Sequence, residues 1–391
     1  LQPSDVKLQL WLPMLKIPQA FPEIRDAPNL GPSLESYRCE IVAEPGAEWD
    51  RLAAGFADMC LEQTAAFAGS RVGAARSTGV IVREAASDEP VAMALVVVAT
   101  LPVIGLGLAH VKFGPLWRRR GAPANPAHLA LMLETLKREF GQKRKLAVRV
   151  MPPADPGFEQ KWKDALACAN FAFQMAATDR ERYLVDLTLS EGDQLKSLGS
   201  KWRYHLAKSA IGELDICEVG LEAGLPEFLA LYRDMLSRRQ FDDRHGIEDL
   251  PAIAKVAGPA LGMRLFIASH QGKPVVGSLI VGAGERVFVP FSAADEKALE
   301  LRAGYALRWT IMERLRGTEA RWLDLGGAEG DQGATHDKLG NVGKRGRVAE
   351  IPGEFDYAPN ALAAGAAKAL MLGKELARSQ QLKRLVMMLP I

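Results

Sequence analysis

An α/β chain built as two similar halves is what this sequence predicts, and three observations predict it. The chain has 391 residues, 48% apolar and 25% charged, which are ordinary globular statistics at a length too great for one small core. Helix-period runs alternate with short aliphatic runs along most of its length. One pattern also occurs twice. Pro90-Val91-Ala92-Met93-Ala94-Leu95-Val96-Val97 and Pro274-Val275-Val276-Gly277-Ser278-Leu279-Ile280-Val281 both read Pro-Val-x-x-x-Leu-aliphatic-Val. Each follows a short aliphatic strand and a polar turn, so each half is expected to hold the same hairpin.

In order, Trp49 to Phe67 reads as a helix, and Val80-Ile81-Val82 as the first strand of the first hairpin. Pro90 to Val111 carries no formal charge with His110 neutral and is long enough to cross a bilayer. Pro102, Gly105 and Gly107 interrupt it, and Val96-Val97-Val98 is a buried-strand signature, so two strands joined by a turn are the better reading. Pro126 to Phe140 reads as a helix with proline near its first turn, followed by a strand from Lys145 to Val150. Then come a strand at Tyr183 to Leu187, a basic helix opening at Ser200, a strand at Leu214 to Val219 and a helix at Leu225 to Arg238. A helix at Glu300 to Arg316 and a strand at Trp322 to Leu325 follow the second hairpin. These runs divide the chain into an N-terminal extension (1–40), two domains (41–190 and 191–360) and a C-terminal basic amphipathic helix (361–391). The strand before residue 190 could serve either domain.

A formal charge of +2 and a pI near 8.3 exclude a general nucleic-acid binder, so any anion site must be local. Cys39, Cys60, Cys168 and Cys217 have no metal-like spacing, which points away from zinc and disulfides and toward a reducing, cytoplasmic compartment. The first residue is Leu1. The apolar stretch Leu8 to Leu15 is broken by Pro13 and has no cleavage-like sequence after it, which argues against a signal peptide. The tail carries Lys368, Lys374, Arg378, Lys383 and Arg384 among apolar residues. It could lie on an acidic membrane surface, such as the inner face of the cell membrane, or pack on the second domain with its basic face solvated.

Two clusters could carry chemistry. In Ser200 to Ala210, Trp202, Leu206 and Ala210 form an apolar stripe, while Lys201, His205 and Lys208 share another side, expected to be solvated. Arg203 borders the stripe. A guanidinium there needs an anionic partner to offset its desolvation, and phosphate or carboxylate is expected. The second cluster, Thr335 to Arg347, interleaves glycines with Lys338, Lys344, Arg345 and Arg347 after a strand that ends in Gly326-Gly327. Such a loop can approach a phosphate or a developing oxyanion, or it can be a solvated basic hairpin.

The two clusters, in this order, resemble the FemAB-like (FemABX, BioF2-like) acyltransferases, which are tandem GNAT-type proteins. The resemblance rests on Lys201-Trp202-Arg203 with Lys208, on Lys338 with Gly343, on Gln63-Thr64-Ala65-Ala66-Phe67 with Arg71, and on Lys112-Phe113-Gly114-Pro115. It covers most of residues 40 to 355. Asp337 and Val342 stand where the family has aromatics, and Lys338 and Gly343 are one residue further apart than usual.

The resemblance implies an α+β fold of two tandem GNAT-like domains, each a twisted mixed sheet flanked by helices. It implies acyl transfer to an amine of a cell-envelope glycan or peptidoglycan precursor, lipid-linked or nucleotide-linked. No tightly bound cofactor and no metal are expected; acyl-CoA or aminoacyl-tRNA would be co-substrate. Lys338 would lie by the reacting carbonyl, with Asp324, His336, Asp337, Asp242, Asp243 and His245 as candidates for the base. Arg71 and Arg203, with Lys201 and Lys112, would hold the acceptor, and Arg302, Gly304 and Gly343 the co-substrate. In Leu301-Arg302-Ala303-Gly304-Tyr305-Ala306 the arginine stands one place later than in acetyl-CoA-binding relatives, which weighs against CoA. Two other readings remain: a non-catalytic GNAT-fold protein that binds an anionic ligand, favoured by Asp337 and Val342, and a membrane-attached scaffold.

Overall fold

In the computed structural model, residues 36–378 are described, apart from 103, 178–179, 240–245, 258–259, 283 and 329–330. Asp242, Asp243, His245, Lys383 and Arg384 lie outside the described residues, as do Leu8 to Leu15.

The first half opens with β1 (Tyr37–Ala43), α1 (Ala47–Ala53) and α2 (Ala65–Val72), followed by the strands β2 (Ser77–Glu84), β3 (Pro90–Thr100) and β4 (Gly107–Lys112). Then come α3 (Pro126–Leu136), β5 (Ala147–Met151), α4 (Glu159–Cys168) and β6 (Ala172–Met175). The second half runs β7 (Glu181–Asp186), α5 (Glu191–Ser197), α6 (Ser200–Ser209), β8 (Leu214–Val219), α7 (Leu221–Arg239) and α8 (Leu250–Ala257). It continues with β9 (Arg264–His270), β10 (Lys273–Val281), β11 (Arg286–Ala294), α9 (Glu296–Leu301), α10 (Ala303–Leu315), β12 (Trp322–Asp324), α11 (Gln332–Val342) and β13 (Arg347–Glu350). The chain then adds β14 (Glu354–Tyr357) and α12 (Ala361–Arg378).

Two seven-stranded mixed sheets result, ordered β1-β2-β3-β4-β5-β14-β6 and β13-β7-β12-β11-β10-β9-β8. In each, four antiparallel strands meet one parallel neighbour, β4 with β5 and β11 with β12. The repeated hairpins are β2–β3 and β9–β10, and they hold the same places in the two sheets. Pro90 to Val111 is β3 and β4, paired antiparallel, and among the described residues no helix is long and apolar enough to cross a membrane.

From Pro90 to Ala99, β3 is apolar without interruption because both of its faces are covered. Alternate residues of β3 go to different cores: Met93 and Leu95 join Trp49, Phe56, Phe228, Leu265 and Leu279 in a cluster drawn from both halves. Ala92, Ala94 and Val96 instead meet Leu129, Leu133 and Phe140 beneath α3. At roughly 1.5–3 kcal/mol per large buried side chain, that shared core ties the halves together.

Sequence and structure differ at several places. The helix expected over Trp49 to Phe67 is split into α1 and α2. Asp50, buried, turns its carboxylate to the free N–H groups of Ala65 (2.6 Å) and Ala66 (3.2 Å), and Thr64 Oγ1 accepts from Phe67 N, so a second helix starts there. The domain limits also shift. The strand before residue 190 pairs with β12 and β13 in the second sheet, whereas β14, assigned to the second domain, inserts between β5 and β6 of the first. Helix α12 packs on β4 and β5, burying Ala363, Ala366 and Ala367, and so covers the first half and not the second. Finally, the stretch read as a glycine-rich loop is largely helix α11, capped by Asp331, whose Oδ1 accepts from Gly333 N (2.7 Å) and Ala334 N (3.0 Å).

Candidate active site

Strands β11 and β12 pair in parallel at Arg286/Trp322, Val287/Leu323 and Phe288/Asp324; β12 then ends, while β11 runs on to Ala294. The sheet opens there. The corresponding pair in the first half, β4/β5, stays together from Leu108/Ala147 to Lys112/Met151. Beside the opening of the second sheet is a cleft of about 640 Å³, lined by the end of β11, the first turn of α10 and one side of α11.

Three predicted residues meet in this cleft: Lys338, Arg302 and Gly304, with Asp337 beside them. Arg302 takes a left-handed conformation (φ 57°) that breaks the expected helix into α9 and α10 and presents the start of α10 to the cleft. Helix N-termini offer unpaired N–H groups and favour anions. Lys338 Nζ donates to Gly327 O at the end of β12. Burial, and behind it the guanidiniums of Arg308 and Arg182, push its ammonium down to about 8, against the opposing pull of Asp324 and Asp337. Asp337 accepts from Arg308 Nη1 at 3.0 Å. Ser278 Oγ and Ser292 Oγ, 2.8 Å apart, complete the polar wall. Arg182 and Arg308 escaped the sequence reading; Arg182 adjoins the Tyr183-Leu184-Val185 run of β7 and Arg308 stands between Leu307 and Trp309 in α10, and an arginine beside such apolar residues could have marked them.

A second cavity, of about 290 Å³, lies between the halves, and Arg71 and Lys112 line it together. Gln63 positions that edge: Nε2 donates to Lys112 O (2.8 Å), and Oε1 accepts from Leu95 N (2.9 Å). Arg71 is 3.7 Å from Asp249 and Lys112 is 3.7 Å from Glu62, contacts loose enough to yield to a ligand. Most of the remaining wall is apolar, including Phe67, Met263, Phe288 and Phe291. A Cβ at Gly326 would lie 3.6 Å from Phe288 and 3.8 Å from Lys338 Nζ, so the inter-half cavity and the lysine are neighbours across that glycine.

The other predicted residues stand elsewhere. Arg203 spends its guanidinium on the carbonyls of Leu198 (2.7 Å) and Lys196 (3.3 Å), tying down the turn before its own helix, and it lines neither cleft. The anion its position seemed to demand is replaced by backbone oxygen. Asp324 is buried, with both oxygens engaged by Arg182 and one also accepting from Gly326 N, so it anchors the strand end and is not free to act as a base. His336 and Lys201 are exposed. Gly343 caps α11 at φ 64°, where a side chain would collide with Ser197 O, so its role is packing and not co-substrate binding. His205, expected on a solvated face, lies against Tyr305 with ring centroids 4.9 Å apart.

Residues 197–338 match the family model described as an acetyltransferase (GNAT) domain. Among solved structures, the fold is similar to that of FemX, with a TM-score of 0.65 and 14% identity over 82% of this chain and 97% of that one. It is also similar to a conserved protein of unknown function from Bacteroides thetaiotaomicron, with a TM-score of 0.56 and 14% identity over 79% and 96%. No curated protein matches the sequence. Fold and matched domain define a tandem GNAT protein with an acyltransferase fold. Within that class the fold resembles that of FemX.

Proposed function

We propose that this protein is an N-acyltransferase that moves an acyl or aminoacyl group from acyl-CoA or aminoacyl-tRNA to an amine of an anionic cell-envelope precursor, glycan or peptidoglycan. The observation that carries the reading is the placement of Lys338 with the first turn of α10 in one cleft where the second sheet opens. The donor would enter that cleft with its phosphates toward α10. The acceptor would use the neighbouring cavity, with its anionic group on Arg71 and Lys112 and an apolar portion against Phe67 and Phe288.

In the reaction the amine nitrogen attacks the acyl carbon and the carbonyl oxygen gains charge. The Lys338 ammonium offsets that charge, an effect worth a few kcal/mol in a dry site. As the tetrahedral species collapses, the new C–N bond stays, and the bond to sulfur or to the ribose oxygen breaks. The amine loses one proton, and the leaving thiolate or alkoxide gains one. Asp337 and Asp331 are carboxylates that line the cleft with Lys338.

Mass spectrometry of envelope glycan and precursors from cells with and without the protein tests this. An added amino acid identifies the aminoacyl donor, and an acetyl or longer acyl group identifies CoA. An unchanged mass pattern, with purified protein inert toward both donors, would sink the enzyme reading in favour of a non-catalytic anion binder.

A further inference from the structure

From the wall of the large cleft, four rings run outward in sequence. Trp202, buried, meets Tyr305 at 5.2 Å between centroids, Tyr305 meets His205 at 4.9 Å, and His205 meets Tyr204 at 5.4 Å. Tyr204 ends the series 57% exposed. Surface aromatics on helices usually cover apolar neighbours; this one leaves most of its ring in solvent. Lys208 stands over the Tyr204 ring at 5.8 Å. Burial, with Arg302 and Lys201 behind it, holds the His205 imidazole below its ordinary value against the opposing pull of Asp337. Among the described residues, Lys201 and Lys208 have no ion-pair partner.

The rings pack on one another edge-to-face or tilted, at 67°, 38° and 65° in that order, which leaves the outer Tyr204 ring open to solvent. An exposed π-face edged by Lys201 and Lys208 is a surface suited to a base with its phosphates. A lipid tail would not use the cations, and a carboxylate would not use the rings. In a protein of nearly neutral charge, the cations here are a local concentration and not part of a general basic face. We propose that the exposed Tyr204 ring, backed by His205 and Tyr305, stacks the terminal adenine nucleotide of the acyl donor, with its phosphates toward Lys201, Lys208 and Arg302. The proposal rests on the reading of the large cleft as the donor site and adds to it the part of the donor that is recognised. Coenzyme A and the 3′ end of aminoacyl-tRNA both present adenosine, so the two sources share this chemistry.

The test is calorimetric titration of the full chain and of its Tyr204→Ala and Tyr204→Phe variants with three probes. These are coenzyme A, 4′-phosphopantetheine (which lacks the nucleotide), and an uncharged RNA minihelix ending in single-stranded CCA. Tyr204→Ala should weaken the adenosine-bearing probe by about tenfold or more, while Tyr204→Phe stays within about twofold. Phosphopantetheine should bind all three proteins alike. Tighter binding of coenzyme A than of RNA assigns a thioester donor, and the reverse assigns tRNA. Equal adenosine-probe affinity in wild type and Tyr204→Ala overturns the stacking proposal while leaving the donor cleft standing. So does an equal loss of phosphopantetheine in Tyr204→Ala. Failure of wild type to bind any probe overturns the donor cleft itself. Because Tyr204 is exposed, the alanine variant should fold, and an unchanged Tm checks that.

Discussion

Lys338 combines two properties that rarely coexist on a lysine: it is largely withdrawn from water, and two guanidiniums are among its neighbours. Its ammonium therefore titrates at about 8. If the charged form offsets the oxyanion, kcat/KM falls as pH rises through about 8, and Lys338→Ala lowers kcat by about 100- to 1000-fold with little change in KM. Lys338→Arg should move the alkaline limb out of range whatever its effect on the maximum rate, since a guanidinium stays charged. The same shift affects stability with a definite sign. The folded-state value lies below the unfolded one, so the fold binds fewer protons between about 8 and the ordinary lysine value and gains stability as pH rises through that window. Urea midpoints for wild type and Lys338→Met at pH 7 and pH 10 should therefore converge at neither value: wild type gains on the variant at the higher pH.

Helices α6 and α11 show why part of the site was legible in the sequence and part was not. Lys338 stood out in a cluster of cations interleaved with glycines, and its role, like the choice of Arg302 and Gly304, came from the family resemblance. Helix α11 could not be picked out, because its glycines read as loop. Gly340 lies inside the helix, where Gly199 N donates to its carbonyl at 2.8 Å and a Cβ would come within 3.3 Å of the Trp202 side chain, tighter than most such contacts. Gly343 ends the helix in a backbone region that other residues enter only at about 1–3 kcal/mol, with Ser197 O in the way of a side chain. Gly343→Ala should accordingly cost about 2 kcal/mol or more, read as a lower urea midpoint, and should loosen α11 and with it Lys338. Arg203 was misread for a related reason: periodicity shows which face a guanidinium occupies, but not that two carbonyls of the preceding turn fold back to meet it.

For the molecule as a whole, the Pro-Val hairpins made the two-sheet plan visible, because strands covered on both faces must be aliphatic without a break. The exchange between the sheets was hidden, since β14 is four half-buried residues with no apolar run to announce it. The halves are also joined through charge. Arg118 of the first half pairs with Asp155 (3.0 Å) and with Glu285 of the second (2.8 Å), and Asp58 lies 3.8 Å away. Burial pushes the Asp58 carboxyl up to about 7 despite Arg118. A raised carboxyl value means that the fold binds more protons than the unfolded chain between about 4 and about 7, so stability falls as pH rises through that range. Asp58→Asn should flatten that fall. Arg118→Met should cost about 3–5 kcal/mol by leaving buried carboxylates unpaired. With one core spanning both halves, chemical denaturation of either variant should still show a single transition by fluorescence and circular dichroism.

Strand β14 bears on the order of events during synthesis. Among the described residues, Arg149 of β5 meets its carboxylate partners, Asp356 at 2.7 Å and Glu354 at 2.7 Å, only on β14, and β6 has no other neighbour in its sheet. A ribosome that has released the whole first half has thus produced a sheet with a gap one strand wide and a buried guanidinium with nothing to bind. The gap stays open until the second half has been made and the chain returns. Until then the nascent first half exposes strand edges of the kind that recruit chaperones or misassociate, and a chain stalled before residue 354 should be degraded faster than one stalled after residue 360.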